Sequence, residues 1–200
     1  MSPTALALDP AAQDLLFREA HTAHSFSDEP VTDEQVHAVY DLVKYAPTAY
    51  NQSPLRVTLL RTPEARGRLL PLLSEGNRAK TAEAPLTAIL SVDLEFHQRL
   101  PELLPARPQL KDTVYADPDL RRAHGSFNAT LQAGYFLLGV RAAGLAAGPM
   151  SGFDAEGVDK EFFGDGRQHA LLVVNIGHPH ADSYRPRNPR LPAEEAVTSL

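Results

Sequence analysis

The chain contains no cysteine, which excludes disulfide bonds, thiol nucleophiles and cysteine-ligated metals. It has no run of Lys or Arg, and its net charge of −6 at pH 7 argues against a surface that follows nucleic-acid phosphates. Its main apolar stretch is too short and too often interrupted by polar residues to be a membrane span. The first residues lack the basic segment and apolar core of a signal peptide. We therefore expect a cytoplasmic protein with no nucleic-acid or membrane partner.

The sequence also lacks a Walker loop, a Gly-x-Gly-x-x-Gly motif, a Gly-x-Ser-x-Gly elbow and a His-Glu-x-x-His motif. Its composition is that of an ordinary globular protein, since 43% of the 200 residues are apolar and 22% are charged. A chain of this length can bury a substantial core. We expect one domain over residues 1–200.

The stretch Ser126–Phe153 contains the most apolar helical pattern of the chain. Apolar side chains recur there at steps of three and four: Phe127, Leu131, Tyr135, Leu138 and Ala142. A helix that is apolar over most of its circumference is expected in the core, and Gly144 is expected to end it. Gly148–Gly152 then predicts a rigid turn. That turn either presents backbone N–H groups to a ligand or only connects two elements.

The rest of the pattern predicts an α+β or mixed α/β protein with three or four strands. Alternation and β-branching indicate strands at 55–61, 86–92 and 170–177. Helices are predicted at 9–19, where Leu15, Leu16 and Phe17 would face inward, and at 32–43, 62–73 and 154–163. A proline-rich excursion occupies 93–119, with a short helix near 96–104, and an extended basic arm occupies 184–200. Because the sheet is small for the number of helices, we expect a second subunit to cover apolar surface.

Candidate chemistry is confined to four polar turns and the basic arm, namely His21–His24, Thr48–Pro54, Asn77–Lys80, Gly148–Gly152 and Arg185–Arg190. The two histidines could form a metal pair or hydrogen-bond an anion. No further ligand cluster accompanies them, so we predict no metal site. Asn77 and Lys80 share one face if that segment is helical, although a capping Asn and a solvated Lys would look the same. The arginines of the arm, taken alone, are typical of solvent-exposed residues.

Taken in order, these segments resemble the nitroreductase family of FMN-dependent oxidoreductases. The family's Pro-[Ser/Thr]-x-x-Asn-x-[Gln/Ser]-Pro turn is matched by Pro47–Pro54, and its Asn-x-x-Lys element by Asn77–Lys80. Its Gly-x-Pro-x-x-Gly-Phe-Asp turn is matched, with one spacing change, by Gly148–Asp154, and its basic C-terminal segment by Arg187–Arg190. The resemblance covers almost the whole chain. Within the family, the malonic semialdehyde reductase group is the most similar.

The resemblance implies a nitroreductase-like fold, with a small mixed or antiparallel sheet surrounded by helices around a long buried central helix. It implies that FMN phosphate is bound by His21, Thr22, His24, Arg187 and Arg190. Asn77 and Lys80 would face the pyrimidine edge of the flavin, and Lys80 would favour its reduced form. A backbone N–H of Ser151 or Gly152 would point at flavin N5. The other implied cofactor-binding residues are Thr48, Asn51, Ser53 and Met150.

The implied activity is ping-pong hydride transfer from NADH or NADPH to a second substrate, most like the reduction of malonic semialdehyde to 3-hydroxypropionate. The implied assembly is a homodimer with the flavin at the subunit interface. The excursion would control substrate access through Phe96, Tyr115 or Arg121. The family's Arg-Ser-x-Arg is His21-Thr22-Ala23-His24 in this chain, which predicts a weaker or pH-dependent phosphate site.

Three alternatives remain beside this reading. The first is a broad nitro or quinone reductase that uses the same site. The second is a non-catalytic flavin-binding protein, which the two histidines in place of arginines keep open. The third is an unliganded structural domain or a metal hydrolase.

Overall fold

A computed structural model of the chain describes residues 6–200; residues 1–5, which belong to the N-terminal segment considered above as a signal, lie outside the described part. Four strands form one sheet: β1 (Leu55–Leu60), β2 (Leu86–Asp93), β3 (Ala146–Met150) and β4 (Gln168–Gly177). Eight α-helical segments accompany them within residues 6–200: α1 (Pro10–Gln13), α2 (Asp33–Val43), α3 (Pro63–Leu69), α4 (Glu75–Glu83), α5 (Leu100–Leu103), α6 (Pro118–Ala142), α7 (Ala155–Phe162) and α8 (Ala193–Ala196). The prediction of an α+β fold is confirmed.

The sheet has the order β1-β2-β4-β3, and every neighbouring pair is antiparallel. In the register, Ile89 of β2 lies opposite Thr58 of β1 and Val173 of β4. All eight residues of β2 are buried, as its continuous apolar run predicts for a central strand. The three strands expected from the sequence are therefore present, and β3 is the fourth.

Helices cover both faces of the sheet. On one face, α2 and α6 pack against alternate strand residues, and this core contains Val39, Val43, Leu86, Leu90, Phe136, Val140 and Ile176. On the other face, α3 and α7 contribute to a second core that contains Leu69, Ile89, Met150, Val158 and Val173. Successive side chains of β2 and β4 point to opposite faces of the sheet, so each strand contributes to both cores. A central strand between two cores can therefore bury all of its residues.

Local sequence signals place several helix ends. Thr32 and Gln35 form a reciprocal capping box at the start of α2, with N···O distances of 3.2 and 2.9 Å. Asp117 caps α6, and Pro118 occupies its first turn, so this helix begins eight residues before the predicted Ser126. Gly144 follows the end of α6 with φ of 76°, a left-handed conformation that glycine adopts readily. The prediction that Gly144 ends the helix is confirmed.

The orientation predicted for α6 is wrong. The buried residues of α6 are mostly small or amide-bearing, and they are Gly125, Asn128, Ala129, Gln132, Ala133, Phe136, Gly139 and Val140. The stripe expected to face the core is instead open, because Phe127 is 66% exposed and both Leu131 and Tyr135 are 44% exposed. Small residues let α6 approach α2 closely: a methyl group added at Gly139 would lie 2.4 Å from Val43.

Two further expectations are corrected. Residues 148–150, predicted as part of a rigid turn, belong to strand β3, and the turn is limited to the residues after Met150. Pro149 fits there because β3 is an edge strand. Proline has no backbone N–H, and an edge strand needs hydrogen bonds to a neighbouring strand on one side only. In the first predicted helix, Leu15 and Phe17 are 43% and 54% exposed rather than inward-facing. That segment is a short α-helix followed by a π-helical turn, Asp14–Arg18, which changes the direction of its side chains.

The excursion at 93–119 has its own small core. Short helical turns at Phe96–Arg99, Pro108–Lys111 and Val114–Ala116 accompany α5. They enclose an apolar cluster of Phe96, Leu100, Leu110 and Tyr115. Phe96 and Tyr115 are fully buried, so neither is exposed to contact a substrate directly, in contrast to the expectation from the sequence.

Candidate functional site

A cleft of about 590 Å³ lies between the segment after α1, the last turns of α6, strand β3 and the C-terminal arm. The ionisable side chains that line it are all basic, and the lining contains no Asp or Glu. They are His21, His24, Arg141, Arg185, Arg187 and Arg190. Guanidinium groups in this number, with no carboxylate in the lining to neutralise them, are able to bind an anion such as a phosphate.

The histidine segment is fixed against the edge strand β3. The N–H of Ala23 donates to the carbonyl of Ala147 over 3.0 Å, and the N–H of His24 lies 3.1 Å from Oγ of the buried Ser183. The approach to β3 is so close that a methyl group added at Gly148 would lie 2.6 Å from the carbonyl oxygen of Ala23. Only glycine at this position allows the segment to lie where it does.

Two arginines of the cleft are held by backbone carbonyl groups. The guanidinium of Arg141, in the last turn of α6, donates to the carbonyl of Leu15 over 2.7 Å. The guanidinium of Arg187 donates to the carbonyls of Arg18 and Ala20 over 2.5 and 3.1 Å. These bonds orient the cations toward the cleft without neutralising them, because a carbonyl group carries no net charge.

A third arginine connects the cleft electrostatically to α4. Among residues 6–200, the Arg185 side chain has no hydrogen-bond partner, whereas Arg190 donates to the carbonyl of Asn188 over 2.9 Å. Burial and the charge of Arg185 lower the pKa of Lys80. Burial, followed by the charges of Arg185 and Lys80, lowers the pKa of His24, which favours its neutral imidazole. Lys80 therefore belongs to the same positive region as the cleft.

The N-terminal part of α4 is joined to the segment after β3. Both the side-chain amide of Asn77 and the N–H of Ser74 donate to the carbonyl of Gly152, each over 3.0 Å. Within the described part of the chain, the N–H groups of Ser151 and Gly152 donate no hydrogen bond. Two adjacent free donors therefore lie beside the helix that carries Lys80. The structure thus brings together the predicted residues of 77–80 and 151–152.

The polar turn at 48–54 lies elsewhere, and none of its residues lines the cleft. Asn128 of α6 holds this turn by accepting from the N–H of Ala49 over 2.7 Å, and Thr48 Oγ1 accepts from the N–H of Ser53 over 3.2 Å. Three of its residues have left-handed backbone angles: Tyr50 (φ 54°), Asn51 (φ 51°) and Ser53 (φ 43°). Thr48, Asn51 and Ser53 are thus not gathered with the other predicted cofactor residues within one copy.

A family model and a close relative decide where this chain belongs. The model of the nitroreductase family matches residues 18–178. A protein of Streptomyces coelicolor with the provisional name NADH dehydrogenase/NAD(P)H nitroreductase is 62% identical over 195 residues, which are 98% of this chain and 99% of the relative. The chain belongs to the nitroreductase family.

A second relative of this nitroreductase-family chain, in Leptothrix cholodnii, carries the same provisional name and is 46% identical over 97% of this chain and 98% of its own length. Two crystal structures show the same fold. A provisional nitroreductase of Bacillus subtilis has a TM-score of 0.85 at 24% identity, covering 95% of this chain and 99% of its own. A provisional nitroreductase of Exiguobacterium sibiricum, in complex with FMN, has a TM-score of 0.82 at 16% identity, covering 97% and 98%.

Two arginines of the cleft were not assigned to the predicted cofactor set, namely Arg141 and Arg185, although Arg185 lies in the candidate segment Arg185–Arg190. Arg185 lies two residues before Arg187 in the extended arm, and the whole run from Arg185 to Asn188 lines the cleft, so its closeness to Arg187 in sequence was a usable signal. Arg141 follows Gly134 and Leu138 along one helical face, and all three line the cleft. Of the predicted cofactor residues, Met150 places its side chain in the core, where the Thr81 hydroxyl lies 3.8 Å from its sulfur.

A second cleft, of about 500 Å³, lies beside α2 and β1 and includes Ser53. Its cations are already paired: Lys44 with Asp41 over 2.7 Å, Arg99 with Glu102 over 2.7 Å and Arg56 with Asp93 over 2.6 Å. It is therefore a poorer anion site than the first cleft, whose arginines form no salt bridge with a carboxylate of residues 6–200.

Across residues 6–200, no three His, Asp or Glu side chains are grouped as metal ligands. Over the same residues, no helix combines the length and apolarity that crossing a membrane requires.

Proposed function

We propose that this chain is an FMN-dependent NAD(P)H oxidoreductase that binds the flavin phosphate in the arginine-lined cleft. The observation that carries the proposal is the concentration of Arg141, Arg185, Arg187 and Arg190 around one opening that has no acidic lining. In family relatives the provisional names include NAD(P)H nitroreductase, and a structural neighbour is a complex with FMN. When bound, FMN supplies the capacity to accept a hydride from a nicotinamide and pass it to a second substrate.

The residues present fit such a cofactor. Guanidinium groups offer forked donors to phosphate oxygens, and the neutral imidazole of His24 can donate or accept one further hydrogen bond. Thr22 and His21 lie in the same lining and complete the predicted phosphate set with Arg187 and Arg190. The absence of a side chain at Gly148 keeps this set in place against β3. The donor set is therefore that of an anion site, and Arg185 joins the residues that we assign to it.

Lys80, Asn77 and the 151–152 backbone would act at the other end of the site. Lys80 supplies a positive charge in a partly desolvated position, where its electrostatic effect is larger than in water. The free N–H groups of Ser151 and Gly152 supply two fixed donors. Asn77 positions that backbone by its bond to Gly152. No side chain is required as a nucleophile, and this agrees with the absence of cysteine.

We propose a homodimer as the functional form. The exposed stripe of Phe127, Leu131 and Tyr135 follows one face of α6, between the turn held by Asn128 and the cleft beside Leu138. These two points are ten residues apart, or about 15 Å along a helix. Antiparallel pairing of the stripe with that of a second copy would cover it and bring the turn of one copy toward the cleft of the other. Thr48, Asn51 and Ser53 would then complete a composite site.

For the oxidised substrate we favour malonic semialdehyde, which would be reduced to 3-hydroxypropionate. The support is the resemblance of the segment from Pro149 to Asp154 to that group of the family. The second candidate is a broad nitro or quinone reductase. The relatives' names favour this alternative, since they mention nitroreductase activity and no aldehyde.

The experiment that tests the proposal is anaerobic spectroscopy of the FMN-loaded protein. NADH and NADPH are added separately, and the reduced protein is then mixed with malonic semialdehyde, menadione or nitrofurazone. The proposal predicts bleaching by a nicotinamide and reoxidation by at least one acceptor. Reoxidation that is much faster with the aldehyde acid supports the favoured substrate, and comparable or faster reoxidation by the quinone and the nitro compound supports the alternative. Bound flavin that no nicotinamide bleaches would establish a flavin-binding protein without this activity.

A further inference from the structure

The turn at 48–53 holds a backbone conformation that requires support. Tyr50, Asn51 and Ser53 all have positive φ, although none of them is glycine. Residues with a Cβ rarely adopt this region, and they persist in it where surrounding contacts fix them. Such conformations concentrate at functional positions, and Tyr50 is 42% exposed at the surface of this turn.

The support comes partly from the excursion. The side-chain amide of Gln52, itself 1% exposed, donates to the hydroxyl of the fully buried Tyr115. The side-chain amide of Asn51 donates to the carbonyl of Leu103 over 2.8 Å. The tip of the turn is therefore attached to two points of the 93–119 segment, more than fifty residues further along the chain. On its other side the turn is attached to α6 through Asn128.

Tyr115 is suited to join the turn to the excursion. Its ring packs edge-on to Phe96, with centroids 5.1 Å apart, inside the small core of the excursion. Its hydroxyl leaves that core, accepts from Gln52 and lies 3.5 Å from Nδ1 of His124. Burial, followed by the repulsion that an ionised Tyr50 would exert, raises the pKa of Tyr115, so its hydroxyl stays protonated and can donate to His124 while it accepts from Gln52.

We propose that the Gln52–Tyr115 pair is a buried brace through which the excursion fixes turn 48–53, and that Tyr115 is thereby a positioning residue for Tyr50 and Asn51 at the substrate side of the site. This inference rests on the proposed function, because it assumes that the turn contributes to a flavin site. It gives Tyr115 an indirect role that its complete burial allows, in place of the direct contact expected from the sequence.

The brace acts at a distance from the arginine cleft. None of the residues Tyr50, Gln52 and Tyr115 lines that cleft. The proposed phosphate set is held instead by β3 and by the carbonyls of Arg18 and Ala20. The turn residues Thr48, Asn51 and Ser53 would contact the flavin away from its phosphate, so loosening the turn should alter the fit of the oxidised substrate beside Tyr50 more than the retention of FMN. A residue that only stabilises the fold would instead affect both through the fraction of folded protein.

The test uses the variant Tyr115→Phe, which removes one oxygen atom and keeps the ring against Phe96. The matched control is Tyr45→Phe, because Tyr45 is 80% exposed and lies outside both clefts. Hydrogen exchange of the turn amides is measured on the full chain as purified. Steady-state kinetics with menadione and flavin content are measured on the same samples. We expect Tyr115→Phe to accelerate exchange in the turn and to raise KM for menadione, each by about 2- to 10-fold, the factor that one net hydrogen bond supplies. Flavin content and kcat should stay near those of the control.

A second variant isolates the pair. In a Gln52→Leu background the brace is already broken, so Tyr115→Phe should add much less to exchange and to KM than it does in the wild type, since only the long 3.5 Å contact with His124 is then left to lose. Equal exchange in Tyr115→Phe and Tyr45→Phe would overturn the brace, and so would additive effects in the double variant. Faster exchange with unchanged KM would overturn the positioning role. If the wild-type protein binds no FMN, the proposed function fails, whereas the exchange measurement still decides whether the brace exists.

Discussion

Gly148→Ala is the substitution that examines the architecture of the cleft most closely. The added methyl would lie 2.6 Å from the carbonyl oxygen of Ala23, whereas ordinary contact begins at 3.4 Å. The His21–His24 segment must therefore move away from β3 by about 0.8 Å, which stretches the 3.0 Å hydrogen bond from the N–H of Ala23 to the carbonyl of Ala147 in β3. Overpacking of this kind typically costs about 1–3 kcal/mol. If the whole of this free energy destabilises the conformation that binds FMN, the affinity for FMN decreases by about 5- to 150-fold.

The assay is fluorescence titration of the apo-protein with FMN, together with thermal unfolding of both proteins. Gly67→Ala is the matched control, because a methyl group there meets nothing within 4 Å. Gly67 lies in α3, where alanine is the better helix former, so this control should be slightly more stable than the wild type. Wild-type FMN affinity in Gly148→Ala, with the fold intact, would refute the reasoning that the cleft depends on this close approach.

Three further variants test separate parts of the site. Lys80→Ala should slow anaerobic flavin reduction by NAD(P)H about tenfold, which corresponds to an activation barrier higher by about 1.4 kcal/mol. The fold should stay intact because alanine favours a helix, and wild-type rates would remove Lys80 from the site. Leu131→Glu places a charge in the exposed stripe of α6 and should give a monomer that retains little FMN, and a dimer by light scattering would count against the proposed interface. Bound phosphate should raise the lowered pKa of His24, so this residue strengthens binding as the pH falls. From about pH 7.5 to about pH 5.5, the ratio of FMN affinities between wild type and His24→Gln should therefore increase, and a constant ratio would exclude His24 as a phosphate contact.

Elements whose signals are local were predictable from the sequence. The start of α2 after Thr32, the glycine after α6 and the continuous apolar run of β2 each depend on a few residues, and each appears as expected. The family resemblance was carried by short polar motifs in order, and the family is confirmed.

The orientation of α6 was not predictable in the same way. A helix face that packs on the chain's own sheet and a helix face that a second copy would cover are both apolar. Their composition therefore does not distinguish them. The small residues Gly139 and Ala133 mark the true core face, because they permit close helix packing, but a hydrophobic pattern gives them little weight. The strand at Ala146–Met150 was missed for a related reason, since Gly-Pro predicts a turn unless the strand is known to be an edge.

Long-range pairings account for the remaining differences. Gln52 and Tyr115 are 63 residues apart, and nothing in either local sequence indicates the bond between them. The same holds for Arg187 and the carbonyl of Ala20, which are 167 residues apart. Such contacts follow from the topology of the sheet and its connections, so they become visible only when the chain is folded.

The measurement that tests the central claim most directly is a comparison of FMN with riboflavin as ligands of the apo-protein. Riboflavin has the same ring system but no phosphate, so the difference in affinity isolates the contribution of the arginine-lined cleft. Two charge-assisted hydrogen bonds of about 1.5 kcal/mol each predict that FMN binds about 100-fold more tightly, and the difference should shrink as salt is added. Equal affinities for the two flavins would contradict the assignment of the cleft as the phosphate site.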